Sequence, residues 1–141
     1  MKTLKAMVMS VALLLVCAVS QAAPAMGHNL SKNEVLDTYL NAVVHGKIAG
    51  IDDAIDDAAT FYMKRGDDIN TLTKAQIISS LKSSENMEQD CQCVKTTLQD
   101  DDDVSKVKVE MKYKDFTRID VVTASRDGKK WQITNVETSY K

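Results

Sequence analysis

Tyr39, Asp120, Cys91 and Cys93 are the residues of this chain whose types and settings could do chemistry. Asp120 stands among Ile119, Val121 and Val122, in a run that otherwise reads as a strand. A carboxyl there has two settings. It can point into an apolar interior, stay neutral and donate a hydrogen bond to a ligand carbonyl. It can instead face outward beside Arg118, two residues earlier and on the same side of the strand. Tyr39 poses the same pair: a ring that fills the core, or a hydroxyl that orients a ligand. Both questions stay open in the sequence, because a slip of one residue in register reverses every side chain.

Cys91 and Cys93 are two positions apart. In an extended chain their Cα atoms would be about 6.6 Å apart, near the upper edge for a disulfide. Three arrangements are open: a strained, redox-labile bond between them, a bond to a second chain, or two buried thiols. A metal site would need more ligands than His28 and His45 can add, so no metal is expected. The carboxylates Asp52, Asp53, Asp56 and Asp57 read as one solvated face. Asp100 to Asp103 lack the spacing and glycine of a calcium loop and read as a soluble hairpin tip. No Gly-rich phosphate loop and no Ser-His-Asp order appears, and no cofactor is expected.

These groups must be positioned by elements that begin after an export signal. Lys2 and Lys5 precede an apolar stretch, Ala6 to Val19, and then Ser20-Gln21-Ala22, with small residues where a signal peptidase cuts. The stretch is too short to span a bilayer comfortably. Residues 1–22 are therefore expected to be removed, taking Cys17 with them, and residues 23–29 to form a tether. Residues 30–141 would make a single domain in the periplasm or outside the cell, with no membrane segment after cleavage. The formal net charge of −2 is mild and interspersed, which speaks against a nucleic-acid partner.

Ser31 and Glu34 form a capping box ahead of a first helix, with Val35, Leu36, Tyr39, Leu40, Val43 and Val44 as its apolar stripe and Gly46 as its end. Ile51, Ala54, Ile55 and Ala58 predict a second helix over Ile51–Ala58. A short hairpin follows, ATFYMK (Ala59 to Lys64) returning at Ile69 to Leu72. Thr73 and Gln76 cap a third helix carrying Ile77, Ile78 and Leu81. From Cys91 onward the pattern is strands: Cys91 to Gln99, a clear alternation through Val107, Val109, Met111 and Tyr113, then Phe116 to Ser125, the tight-turn pair Asp127-Gly128, and Trp131 to Tyr140. Alternation breaks within Trp131 to Val136, which predicts a bulge. The fold class is α+β: a curved antiparallel sheet, four long strands plus a short hairpin, wrapped as a cone around three N-terminal helices.

In order and spacing, VLDTYLNAVVHGKIAGIDDAIDDAATFYM, TKAQIISSL and DFTRIDVVTASRDGKKWQIT resemble the nuclear transport factor 2-like, or cystatin-like cone, superfamily. The chain looks most similar to its small secreted bacterial branch labelled lumazine-binding. The resemblance implies a cone with an interior pocket and, commonly, a homodimer through the sheet. It implies no single activity, since this fold hosts enzymes, binders and adaptors. Compared with the ketosteroid isomerases of the superfamily, Tyr39 and Asp120 look like the tyrosine and aspartic acid of the oxyanion hole, while Met63 stands where the catalytic base should be.

The leading expectation is a non-catalytic, homodimeric cone that binds a small organic molecule, with Tyr39, Val43, Phe61, Met63, Met111, Asp120 and Trp131 lining the pocket. An isomerase, cyclase or dehydratase using Asp120 and Tyr39 is the first alternative. An interaction module with a filled cone is the second.

Overall fold

The computed structural model describes residues 29–141. The expected signal, residues 1–22, and nearly all of the tether lie outside the described residues. Helix α1 (Lys32–His45) starts at the capping box: Ser31 accepts from the Glu34 amide, and Glu34 accepts from the Ser31 amide. Its stripe buries Val35, Tyr39, Leu40, Ala42 and Val44. Gly46 ends it in the left-handed conformation at φ 64°.

The second helix is shorter than its apolar spacing predicts. Helix α2 spans only Ile51–Ala54, and Ile55 is already extended at φ −109° and ψ 128°. Strand β1 runs Ile55–Arg65, bulged at its start. The Asp56 carboxylate accepts from the Ala58 amide within that bulge. Ile55 and Ala59 are thereby buried while Ala58 is exposed. A bulge disrupts period-two alternation, so its apolar positions mimic a helical period. This corrects the expected helix over Ile51–Ala58.

Strand β2 (Asp68–Thr73) completes the hairpin, and α3 (Lys74–Ser83) opens on the Thr73–Gln76 capping box. Strands β3 (Gln92–Asp100), β4 (Val104–Lys112), β5 (Thr117–Asp127) and β6 (Lys130–Tyr140) follow as an antiparallel meander. All six strands form one curved, unclosed sheet in the order β2-β1-β6-β5-β4-β3. The hairpin joins the meander through a parallel β1–β6 pair, the one exception to antiparallel pairing. The bulge expected within Trp131 to Val136 is Thr134: Ala124 pairs with Ile133 and Thr123 with Asn135.

Along β5 the buried residues are Asp120, Val122 and Ala124, alternating with half-exposed Ile119, Val121 and Thr123. The inner face of the sheet thus meets α1, and the core gathers Ile55, Phe61, Val109, Met111, Val122, Ile133 and Val136 beneath Val35, Tyr39 and Leu40. Edge strand β3 is tied across α1 by Lys95–Asp37 at 3.2 Å and by Lys32–Asp100. Those ties lie over the N-terminal half of α1, leaving its C-terminal end as the mouth of the cone.

Candidate site at the mouth of the cone

Asp120 points inward and is fully buried. Four donors converge on its two oxygens. Arg118 donates Nε to Oδ1 and Nη2 to Oδ2, both at 2.9 Å. Tyr39 donates its hydroxyl to Oδ2 at 2.8 Å, and Thr138 donates its hydroxyl to Oδ1 at 2.8 Å. A carboxylate offers about four lone-pair sites. Every one is taken by a donor, so the group acts here as an acceptor. The structure combines parts of both sequence alternatives: the carboxyl faces the interior, and it is paired with Arg118.

The strand pleat makes this possible. Residues 118 and 120 share a face, and Thr138 stands opposite Asp120 on β6. Tyr39 comes from the middle of α1. Burial, and then the Asp120 charge, hold the Tyr39 hydroxyl well above the usual phenol range, which keeps it a donor. Burial works against the Arg118 charge, but Asp120 and Tyr39 outweigh it, so the guanidinium value is raised.

Above this network lies a half-enclosed cavity of about 250 Å³. Tyr39, Val43, Met63, Leu81, Tyr113 and Arg118 line it, with Gln89, Ser80 and Ser84 at the rim. Segment 84–91 closes one side and is laced to the end of α1: the Asn86 amide donates to Gly46 O at 2.8 Å and the Gln89 amide to Val44 O at 2.7 Å. Gly46 must be glycine here, since a Cβ would lie 2.6 Å from the amide nitrogens of Asn86 and Met87. Tyr113 donates to Gln89 Oε1 at 3.4 Å. Its phenol is pushed up to about 12, chiefly by burial and then by Cys91 beside it. Phe116 stacks on Tyr113 with ring centroids 4.6 Å apart.

Of the seven residues expected to line a pocket, Tyr39, Val43 and Met63 do reach this cavity. Phe61 and Met111 are core residues, 3% and 0% exposed, and they fill the deep interior of the cone. Asp120 lies behind Arg118 and Tyr39, away from the cavity wall. Trp131 sits near the other end of α1, with Lys32 Nζ 5.8 Å and Arg126 Cζ 6.0 Å from its ring centre. Four residues that matter were not foreseen: Arg118 as a wall residue, Tyr113, Gln89 and Thr138. Arg118 had a signal, its same-side spacing from Asp120, once the face is known. Gln89 lies in irregular chain and carries none. Among the described residues no three His, Cys, Asp or Glu side chains gather as metal ligands.

The residues at the cavity offer a cation and polar groups to a bound molecule. Arg118 keeps Nη1 outside the bonds to Asp120 and is a fixed cation at the floor; Tyr113 and Gln89 are polar groups at the rim. No curated protein matches the chain. Among solved structures, an NTF2-like protein of unknown function from Silicibacter pomeroyi superposes with a TM-score of 0.65 at 14% identity, covering 77% of this chain and 92% of that one. Another, from Methylobacillus flagellatus, gives 0.63 at 22% identity, covering 77% and 88%. A protein with a cystatin-like fold from Caulobacter vibrioides gives 0.57 at 8% identity, covering 77% and 86%. At these identities the likeness shows the fold. Residues 31–138 match the sequence model of the family described as "Putative lumazine-binding". With the cone and its mouth as described, the chain belongs to that family, and its fold is the nuclear transport factor 2-like cone.

Proposed function

We propose that the protein is an exported, non-catalytic binder of a small, flat organic molecule bearing a carbonyl or anionic oxygen, and that it works as a homodimer. The carrying observation is Arg118: a cation held rigid by two bonds to a buried carboxylate, forming the floor of a cavity whose walls are Val43, Met63 and Leu81. Apolar walls with a few placed polar groups are the usual make-up of a ligand site. The volume of about 250 Å³ falls below the roughly 300–1,000 Å³ of drug-sized sites, which suits one or two fused rings. A lumazine, the ligand class in the family's description, is such a bicyclic with carbonyl oxygens.

The dimer reading rests on the outer face of the sheet. A shallow hollow there is bordered by Tyr62, Ile69 and Val121, with Lys64 and Glu137 beside them. Tyr62 is 40% and Ile69 63% exposed. An apolar centre flanked by opposite charges is suited to self-association about a two-fold axis. Export rests on the residues at the start of the chain.

The ligand test is a fluorescence titration with lumazine itself. Saturable quenching is expected, and Arg118→Lys should weaken it about tenfold, because an ammonium cannot hold the bidentate geometry that fixes the cation. No saturable quenching at millimolar lumazine, or equal binding by Arg118→Lys, rejects this ligand assignment.

A further inference from the structure

Beside the cavity mouth, Cys91 and Cys93 occupy a setting that ligand binding does not use. Both are free thiols, Cys91 half-buried and Cys93 exposed. Cys93 pairs with the inward-facing Met111, so its side chain leaves β3 on the cone side. Cys91 lies just before the strand, where its amide bonds back to Gln89 O at 3.2 Å. The two thiols are close enough to interact with each other. Cys91 also interacts with the Tyr113 hydroxyl and packs against the core. Strand β3 is a sheet edge, exposed along its whole length, so its first residues can shift without breaking a second ladder.

From this geometry we infer that Cys91 and Cys93 form a reversible dithiol–disulfide site that exchanges with small-molecule disulfides. Exposed Cys93 reacts first. Its thiolate attacks one sulfur of a disulfide RSSR, forming a mixed disulfide and releasing RS⁻. Cys91, having lost its proton to solvent, then attacks Sγ of Cys93 and expels the second RS⁻. The two released thiolates take up the two protons lost by the cysteines. The net change is protein dithiol plus RSSR to protein disulfide plus two RSH. Closing a ring across one intervening residue strains the bond, which makes it easy to reduce again. Tyr113 is a positioning residue: its hydroxyl lies beside Cys91 and keeps that side chain in place for the second attack.

The experiment uses the full chain carrying Cys17→Ser, so that this pair alone reports. The reduced protein is mixed with oxidised glutathione and followed by thiol counting and intact mass. Expected is loss of both thiols and a mass loss of two hydrogens per chain, restored by excess reduced glutathione. Cys91→Ser should stop at a stable glutathione adduct on Cys93, and Cys93→Ser should react at least tenfold more slowly. Tyr113→Phe should slow the second step about fivefold, the weight of one net hydrogen bond, without changing the first. A stable adduct without Cys91→Ser, disulfide-linked chains, or two thiols that do not react would each overturn the proposal. None of these readouts depends on lumazine binding.

Discussion

Arg118 and Asp120 stand two residues apart on β5, turn the same way, and are joined inside the cone by two bonds of 2.9 Å. Desolvating such a pair costs several kcal/mol per ion, and only good geometry with further hydrogen bonds offsets it. Tyr39 and Thr138 supply those bonds from α1 and β6. One carboxylate therefore ties together helix, central strand and neighbouring strand.

Removing the carboxylate charge should be costly. Asp120→Asn leaves the Arg118 cation uncompensated and at least one donor unmet. The expected loss is about 3 kcal/mol, the lower end for a broken buried pair, because the Arg118 side chain is 22% exposed. Asp120→Leu combined with Arg118→Met should recover most of it. Urea unfolding of single and double variants measures the difference. A double variant as unstable as the sum of its singles would contradict the coupling.

Tyr39 should make stability depend on alkaline pH. Its folded value is raised, so its contribution is complete below the unfolded value of about 10 and declines as pH rises through the folded one. The slope is up to about 1.4 kcal/mol per pH unit above pH ~10, since only the unfolded chain gives up this proton. Tyr39→Phe should lose about 1.5–3 kcal/mol near neutrality, the worth of a hydrogen bond to a charge. That deficit should shrink between pH 9 and pH 11 in paired urea titrations. A constant deficit would mean that the hydroxyl ionises normally.

Gly46→Ala should destabilise by more than about 2 kcal/mol. It adds a left-handed backbone penalty of roughly 1–2 kcal/mol to a clash with two amide nitrogens 2.6 Å away. Thermal melting reads the loss. Gly66→Ala, at φ 61° with nothing within 4 Å of the added Cβ, should cost only the backbone share, and the gap between them measures the close approach.

The dimer proposal predicts that charge on the outer face yields monomers. Ile69→Asp and Tyr62→Asp, alone or together, should lower the sedimentation mass to that of one chain while leaving the circular dichroism unchanged. A native protein already monomeric at high micromolar concentration would remove the proposal.

The helix caps were legible because capping boxes are local: Ser31 with Glu34, and Thr73 with Gln76, form as written. The meander was legible because alternation through Val107, Val109 and Met111 states both strand and face. The run after Gly50 was not, since a bulged strand start and a helix share the same apolar spacing there. The face of Asp120 was hidden for a different reason. Its burial depends on donors 81 and 18 positions away, and no window of sequence contains them. Gln89 owes its place to main-chain bonds with the end of α1, which leave no mark on composition.

Strand β6 sits between β1 and β5 and pairs with both. The hairpin β1–β2 and the meander β3–β5 have no other ladder in common. During synthesis those two halves must wait, each with an open flank, until Lys130–Tyr140 has left the ribosome. The native sheet is complete only when that strand has added to both flanks.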